Sequence, residues 1–208
     1  MLCLTVLFMS CEKTQEAGTP EKLYWGYENI GAFFNYRILT YGNNASTGTV
    51  NEVVAKDTTM HGRTYKKIQS TYTSSGSSSS GERFFAYDNG NYLVLLDPTA
   101  GSNLTYLKNE MAAGSSWFNE FPSVDQQGNP VTYRYNFECV EAISSMVVEN
   151  NTYQDVLKIK KTYAENGTTI SGYEAFDWVA KGVGIIKSES WSNGTKDQEQ
   201  LLSSYQLN

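Results

Sequence analysis

The chain has 208 residues, enough for a domain with a substantial hydrophobic core. Its 22 acidic residues outnumber its 16 basic ones, and the net charge of −6 argues against a nucleic-acid partner, because phosphate binding requires clustered lysine and arginine. A single histidine leaves little scope for zinc sites or histidine-dependent triads. Fifteen tyrosines in a chain rich in glycine and serine favour strands and turns over helices.

The chain begins with an apolar run that ends at a cysteine. Residues 2–9 (LCLTVLFM) are too few to cross a bilayer as a helix, which needs about 20 residues, but they suffice for the apolar part of a secretory signal. The Ser10-Cys11 pair that follows resembles a bacterial lipobox, which implies cleavage before an acylated cysteine. We therefore expect a signal peptide over residues 1–10, lipidation of Cys11 and a polar tether over residues 11–22. The alternative is a core strand that happens to contain cysteine.

The expected processing accounts for two of the three cysteines. Removal of residues 1–10 deletes Cys3, and lipidation occupies Cys11, so Cys139 is the only free thiol and no intrachain disulfide can form. Cys139 continues an alternating series with Tyr135 and Phe137. This pattern favours a buried structural thiol over a catalytic nucleophile.

From Phe33 onward, short segments alternate between apolar and polar residues and are separated by turn residues, which is typical of strands. The clearest case is residues 33–41, where Phe34, Tyr36 and Ile38 share one face. The sequence predicts strands over 33–41, 49–55, 64–72, 84–87, 92–96, 132–142, 156–164, 171–179, 184–191 and 198–207.

Three Asn-Gly pairs lie between predicted strands, at residues 89–90, 166–167 and 193–194. Asn-Gly tolerates the positive φ angles of a tight type I′ hairpin turn. The pairs therefore predict an antiparallel meander. The serine-rich tract 73–81 (TSSGSSSSG) is either an interdomain linker or a long hairpin tip, and the strands on both sides favour the hairpin.

Helical signal is weak. Residues 104–113 (LTYLKNEMAA) could form two or three turns, with Asn103 as the N-cap and Gly114 after the end.

Three motifs in the second half carry a resemblance. They are residues 114–117 (GSSW), residues 152–159 (TYQDVLKI) and residues 180–187 (AKGVGIIK). In this order they resemble a large group of Gram-negative, outer-membrane type lipoproteins of unassigned function. The resemblance implies a curved antiparallel sheet similar to the half-barrel of periplasmic lipoprotein carriers, and it implies no catalytic residues.

The expected fold is therefore mainly β. We expect a single curved antiparallel sheet over residues 23–208, a half-barrel or open barrel, with at most one or two short helices. Its filling is aromatic, because the alternating strands supply mostly Phe, Tyr and Trp.

Motifs for chemistry are sparse. His61 stands in a turn-like context, which indicates an exposed loop residue and not a base. A hydrolase would need two carboxylates in one cleft; acids on the solvent faces of strands are the ordinary reading of Glu138, Glu141, Glu174 and Asp177. Asp57-Thr58-Thr59 resembles a short bacterial O-glycosylation sequon at Thr58.

We expect a non-catalytic outer-membrane lipoprotein, held to the membrane by its lipid (palmitate) anchor, with no cofactor, no metal and no nucleic-acid partner. Its concave face would bind an apolar small molecule or an envelope protein, and the expected ligand-binding residues are Trp117, Trp178, Tyr135 and Phe137. Two alternatives remain open. One is a glycan-binding accessory lipoprotein that uses exposed aromatics such as Trp25, Trp117 and Trp191; the other is a carboxylate-dependent hydrolase.

Overall fold

The computed structural model describes residues 24, 26–124 and 127–208. The expected signal peptide, the lipidation site Cys11, the tether and Trp25 lie outside these residues. The described part of the chain contains thirteen strands and a single 3-10 turn at Gly42–Asn44. No helix long and apolar enough to cross a membrane occurs there.

The strands follow one another with short connections. They are β1 (Phe33–Thr40), β2 (Ser46–Met60), β3 (Arg63–Ser74), β4 (Ser77–Asp88), β5 (Asn91–Asp97), β6 (Ser102–Lys108), β7 (Ser116–Val124), β8 (Pro130–Val148), β9 (Asn151–Glu165), β10 (Thr168–Thr169), β11 (Tyr173–Ala180), β12 (Gly184–Ser192) and β13 (Thr195–Gln206).

All thirteen strands belong to one antiparallel sheet with the order β6-β5-β4-β3-β2-β1-β13-β12-β11-β9-β8-β7, and β10 pairs only with β9. Two meanders, β1 to β6 and β7 to β13, are therefore joined where the first strand pairs with the last. The sheet curves until its end strands β6 and β7 approach each other, which gives a nearly closed barrel with one unsealed seam. This confirms the expected curved antiparallel sheet.

Side chains bridge the seam where backbone pairing is missing. The Asn119 amide accepts from the Thr105 N–H at 2.9 Å and donates to the Thr105 carbonyl at 3.1 Å. The Trp117 indole N–H donates to the same carbonyl at 3.0 Å. Asn119 thus satisfies both backbone groups of Thr105, as a neighbouring strand would.

The Asn-Gly turns are confirmed. Asn89 and Gly90 have φ angles of +48° and +82°, as a type I′ turn requires, and the other two pairs also have positive φ. The serine-rich tract is part of a hairpin, as expected, but its turn is only Ser75-Gly76, and residues 77–81 belong to β4.

The predicted helix over residues 104–113 is wrong. Residues 102–108 form β6, and Tyr106 is an extra residue there, because Leu107 pairs with Tyr92 while Thr105 pairs with the next residue, Leu93. This bulge leaves both Leu104 and Leu107 buried, three residues apart. A spacing of three imitates a helical face, which explains the error.

The core lies inside the curve of the sheet and is largely aromatic. Phe34, Tyr36 and Ile38 are buried along β1, as the alternation predicts. Cys139 is a free, fully buried thiol on β8.

Candidate functional site

Polar side chains interrupt the inner face of the sheet at its centre. Register places Gln200, Ser188 and Asp177 directly beside one another on β13, β12 and β11, between apolar Ile38 on β1 and Ile159 on β9. Paired residues in neighbouring strands project to the same side. The fold therefore gathers three polar groups on one row of an otherwise apolar interior.

Asp177 is the anchor of one polar cluster and is 1% exposed. Its carboxylate pairs with the Lys161 ammonium at 2.6 Å and accepts from the Ser188 hydroxyl at 2.7 Å. The Tyr106 hydroxyl donates to it as well. Burial, and then the charge of Asp177, raise the pKa of Tyr106 well above its usual range, so this phenol remains a donor at neutral pH.

Glu52 is the anchor of a second cluster and is 2% exposed. Its carboxylate accepts from the Tyr27 hydroxyl at 3.0 Å and from the Ser70 hydroxyl at 3.5 Å, and it pairs with the Arg83 guanidinium. The Arg83 side chain is 44% exposed, so this cluster reaches from the interior to solvent. Buried charges are rarely found without partners, and both acids obey that rule.

The two clusters line the same interior cavity, which has a volume of about 250 Å³. Its walls are mixed: both ion pairs, tyrosine hydroxyls, a serine and an amide stand beside aromatic and aliphatic side chains. The lining residues are Tyr27, Tyr36, Glu52, Arg83, Phe85, Val94, Leu104, Tyr106, Lys161, Asp177, Ile185, Ser188 and Gln200.

This interior cavity continues in two directions. Glu52, Arg83 and Gln200 also line an open space of about 400 Å³, which we call the mouth. The cavity also adjoins an apolar pocket of about 20 Å³, which shares no lining residue with the mouth. The residues common to the cavity and this pocket are Tyr27, Phe85, Tyr106 and Ile185. The interior therefore runs from a polar mouth to a small apolar inner end.

The serine-rich hairpin forms one wall of the mouth, with Ser70 and Tyr72 on β3 and Ser79, Ser80 and Gly81 on β4. Apart from Gly81 itself and its two chain neighbours, no described residue has an atom within 4 Å of the place where a Cβ at Gly81 would stand. The tract is thus the rim of an entrance.

The sequence places both anchoring acids on apolar faces. Glu52 stands between Val50 and Val54 at period two, and Asp177 stands between Ala175 and Val179. The expectation that Asp177 faces solvent is wrong: its strand β11 lies between β9 and β12, and its inner face is covered. A charged residue inside an alternating apolar series was the signal for both acids.

The four expected ligand-binding residues do not line the interior cavity. Trp117 stacks on Phe137 with ring centroids 5.4 Å apart, and both line a separate cleft of about 750 Å³. Trp178 packs beside Phe176 and carries the Lys158 ammonium 5.0 Å from its ring centroid.

Tyr135 contacts Tyr163 edge to face at 4.9 Å. The ligand role of all four residues stays a prediction.

The aromatic platform expected for glycan binding does not form from the described tryptophans. Trp117 is buried, and Trp191 is half-buried, with its indole N–H bonded to Glu189 at 3.0 Å and the Lys196 ammonium over its ring.

The other acids weighed for hydrolysis stand outside the cavity. Glu138 and Glu141 are exposed, and Glu174 pairs with Lys160 at 2.5 Å. His61 lies in an exposed turn, as expected, against the Pro98 carbonyl at 2.8 Å. The hydroxyl oxygen of Thr58 is buried, so glycosylation there would require β2 to open.

Comparison with known proteins extends the description of the fold. No protein-family model matches the chain, and no curated protein matches it. A crystal structure from Parabacteroides distasonis, classed provisionally as a lipoprotein, is similar over 89% of this chain and 100% of its own, with 14% identity and a TM-score of 0.61. A Bacteroides fragilis structure with a YmcC-like fold, classed provisionally as exported, is similar over 88% and 99%, with 13% identity and a TM-score of 0.57. This chain therefore shares its curved, nearly closed antiparallel sheet with both proteins.

Proposed function

We propose that this protein is a non-catalytic, lipid-anchored component of the cell envelope that binds a small polar molecule in its interior cavity. The observation that carries the binding role is the pair of buried ion pairs around an open polar cavity. Replacing buried ion pairs by apolar residues is often neutral or stabilising, so their presence beside an entrance favours a role in recognition. Convergent polar groups in a concave site are the usual form of a small-molecule site.

Two observations support a location in the cell envelope. The Ser10-Cys11 pair after an apolar run resembles a lipobox, and the two similar structures belong to proteins classed provisionally as a lipoprotein and as exported. We propose the outer membrane as its location, with a diacylglycerol and an amide-linked chain on Cys11, because stable anchoring requires two or more chains.

The ligand that we propose is polar, in contrast to the apolar small molecule expected from the sequence. The apolar inner pocket of about 20 Å³ is little larger than the space for one water molecule, which needs about 10–15 Å³. The larger space is lined by carboxylates, cations and hydroxyls, which would lose hydrogen bonds to water without replacement if a hydrocarbon filled it.

The non-catalytic role rests on how the two acids are used. Glu52 and Asp177 each face a cation of their own and accept from hydroxyl groups, so each carboxylate is held by a separate cluster. A glycosidase pair instead has two carboxyl groups about 5–10 Å apart with opposite roles as acid and base or nucleophile.

Native mass spectrometry of the protein purified from the cell envelope tests the binding role. We expect a bound small molecule in the wild type and its loss in Gly81→Trp, which places a large side chain in the mouth. Ser144→Trp is the control, because Ser144 is exposed on β8 outside the mouth and the cavity. Absence of a bound mass from all three proteins would contradict the binding role.

A further inference from the structure

We propose that the interior cavity takes a neutral, polyhydroxylated molecule of the size of one sugar ring. This inference rests on the proposed function and names the chemical class of its ligand. Three properties of the cavity carry it: its charge balance, its hydrogen-bonding capacity and its shape.

The charges that line the cavity cancel. The Arg83 guanidinium pairs with Glu52, and the Lys161 ammonium pairs with Asp177 at 2.6 Å. An anionic ligand would have to compete with a carboxylate for its cation, and a cationic ligand would have to compete with a lysine or arginine for its carboxylate. Separating a buried pair leaves an uncompensated charge, which is strongly unfavourable. A neutral ligand leaves both ion pairs intact.

The hydrogen-bonding groups are mixed, and several have capacity left. A guanidinium and an ammonium carry more N–H donors than one ion pair uses, so Arg83 and Lys161 can still donate. The side-chain amide of Gln200 lines both the cavity and the mouth and forms no hydrogen bond with another described side chain. It can therefore both donate to a ligand and accept from it. Hydroxyl groups match such a wall because each of them also donates and accepts.

Aromatic rings form another part of the wall. The Tyr27 and Phe85 rings lie 5.0 Å apart, and the Arg83 guanidinium carbon is 5.5 Å from the centroid of Phe85. The C–H face of a pyranose ring packs on such surfaces while its hydroxyls point to polar partners.

The volume sets the ligand's size. At about 250 Å³ the cavity lies just below the usual range of about 300–1,000 Å³ for ligand pockets. One ring fits this space and an oligosaccharide does not, so longer chains could enter only as a terminal residue through the mouth.

Isothermal titration of the full chain in mild detergent tests the class. The neutral probes are glucose, galactose, mannose and myo-inositol; glucuronate and glucosamine carry one charge on the same ring, alanine is a zwitterion, and cyclohexanol is largely apolar. We expect at least one neutral probe to bind at least tenfold more tightly than the charged, zwitterionic and apolar probes. Equal or tighter binding of those probes, or no binding by any neutral probe, would overturn the proposal.

A matched pair of variants locates the binding. Gln200→Leu removes the amide without touching either ion pair and should weaken the bound neutral probe at least tenfold. Gln154→Leu alters an exposed glutamine on β9 outside the cavity and should leave affinity unchanged. An equal effect of both substitutions would overturn the assignment to this cavity.

The two proposals fail in different ways. A bound mass from the envelope together with no neutral probe binding would reject the polyhydroxylated class alone. No bound mass and no binding by any probe would reject the binding role itself.

Discussion

At the residue scale, the interior depends on a lysine that faces inward beside one that faces outward. Lys161 pairs with buried Asp177 at 2.6 Å, whereas its neighbour Lys160 pairs at 2.5 Å with Glu174, which is 46% exposed. Successive strand residues project to opposite faces, so two adjacent lysines meet very different dielectric environments.

Lys161→Met should lower the free energy of unfolding by about 3–5 kcal/mol, because it leaves the buried carboxylate of Asp177 without its cation. Lys160→Met should lower the free energy of unfolding by less than about 1 kcal/mol, because exposed ion pairs contribute little to stability. Urea unfolding measures both. The double variant Lys161→Met/Asp177→Asn should recover part of the loss, and equal costs for the two single variants would show that Asp177 is solvated.

Residue-level properties were only partly predictable from the sequence. Burial of Phe34, Tyr36 and Ile38 followed from alternation alone. The burial of Asp177 was not predicted. Acids on strands usually face solvent, and this general expectation was given more weight than the apolar residues Ala175 and Val179, two positions away on either side.

At the element scale, the β12–β13 hairpin is held on its polar side by a network of four charges. The Glu199 carboxylate lies 2.8 Å from the Lys187 ammonium and accepts from the Tyr41 hydroxyl at 2.7 Å. Glu189 pairs with Lys187 at 2.9 Å and with Lys196 at 2.7 Å. Burial disfavours the charged form of Glu199, but the hydrogen bonds from Lys187 and Tyr41 outweigh it and lower its pKa to about 2.

A carboxyl group whose pKa is lower in the folded state stabilises the protein above its unfolded pKa, about 4.3 for glutamate, and loses this contribution as the pH falls towards 2. The wild type should therefore have a higher free energy of unfolding than Glu199→Gln. This difference should be constant above about pH 5 and should decrease as the pH falls below that value. The full shift corresponds to about 3 kcal/mol, and solvent screening of the partly exposed network reduces the gain to about 1–2 kcal/mol. Urea unfolding at pH 6, 4 and 3 measures it, with Glu138→Gln, an exposed acid outside the network, as the control; a pH-independent difference would contradict the argument.

Elements with local chemical signals were predictable, and β6 was not. Asn-Gly pairs marked three hairpin turns because the required backbone angles depend on two residues. The strand assignment of residues 102–108 depends instead on pairing with β5 and on a bulge at Tyr106, and neither is written in the local pattern. The interior cavity is also non-local, since it is built from side chains of nine strands and of the segment before β1.

At the scale of the whole molecule, the first strand pairs with the last, so the described chain begins and ends in the middle of the sheet. Its two meanders separate only at the β6–β7 seam, where Asn119 replaces the missing strand contact.

Cys11→Ala should move the whole protein from the membrane to the soluble fraction, because two acyl chains would no longer be attached. Fractionation followed by immunoblotting measures this change, and Cys139→Ala is the control, since that thiol is buried in the sheet. Unchanged membrane association of Cys11→Ala would refute lipidation.

The position of Tyr24 bears on how the lipid-anchored protein that we propose would be oriented at a membrane. The Tyr24 backbone N–H donates to the Tyr92 hydroxyl at 2.7 Å, and the Tyr24 side chain lines the apolar inner pocket, which shares no lining residue with the mouth. In the lipid-anchored protein that we propose, a tether entering at Tyr24 would bring the apolar pocket nearer to the bilayer than the serine-rich mouth. A ligand would then enter the cavity from the aqueous phase, and the membrane would attach the protein without supplying the ligand.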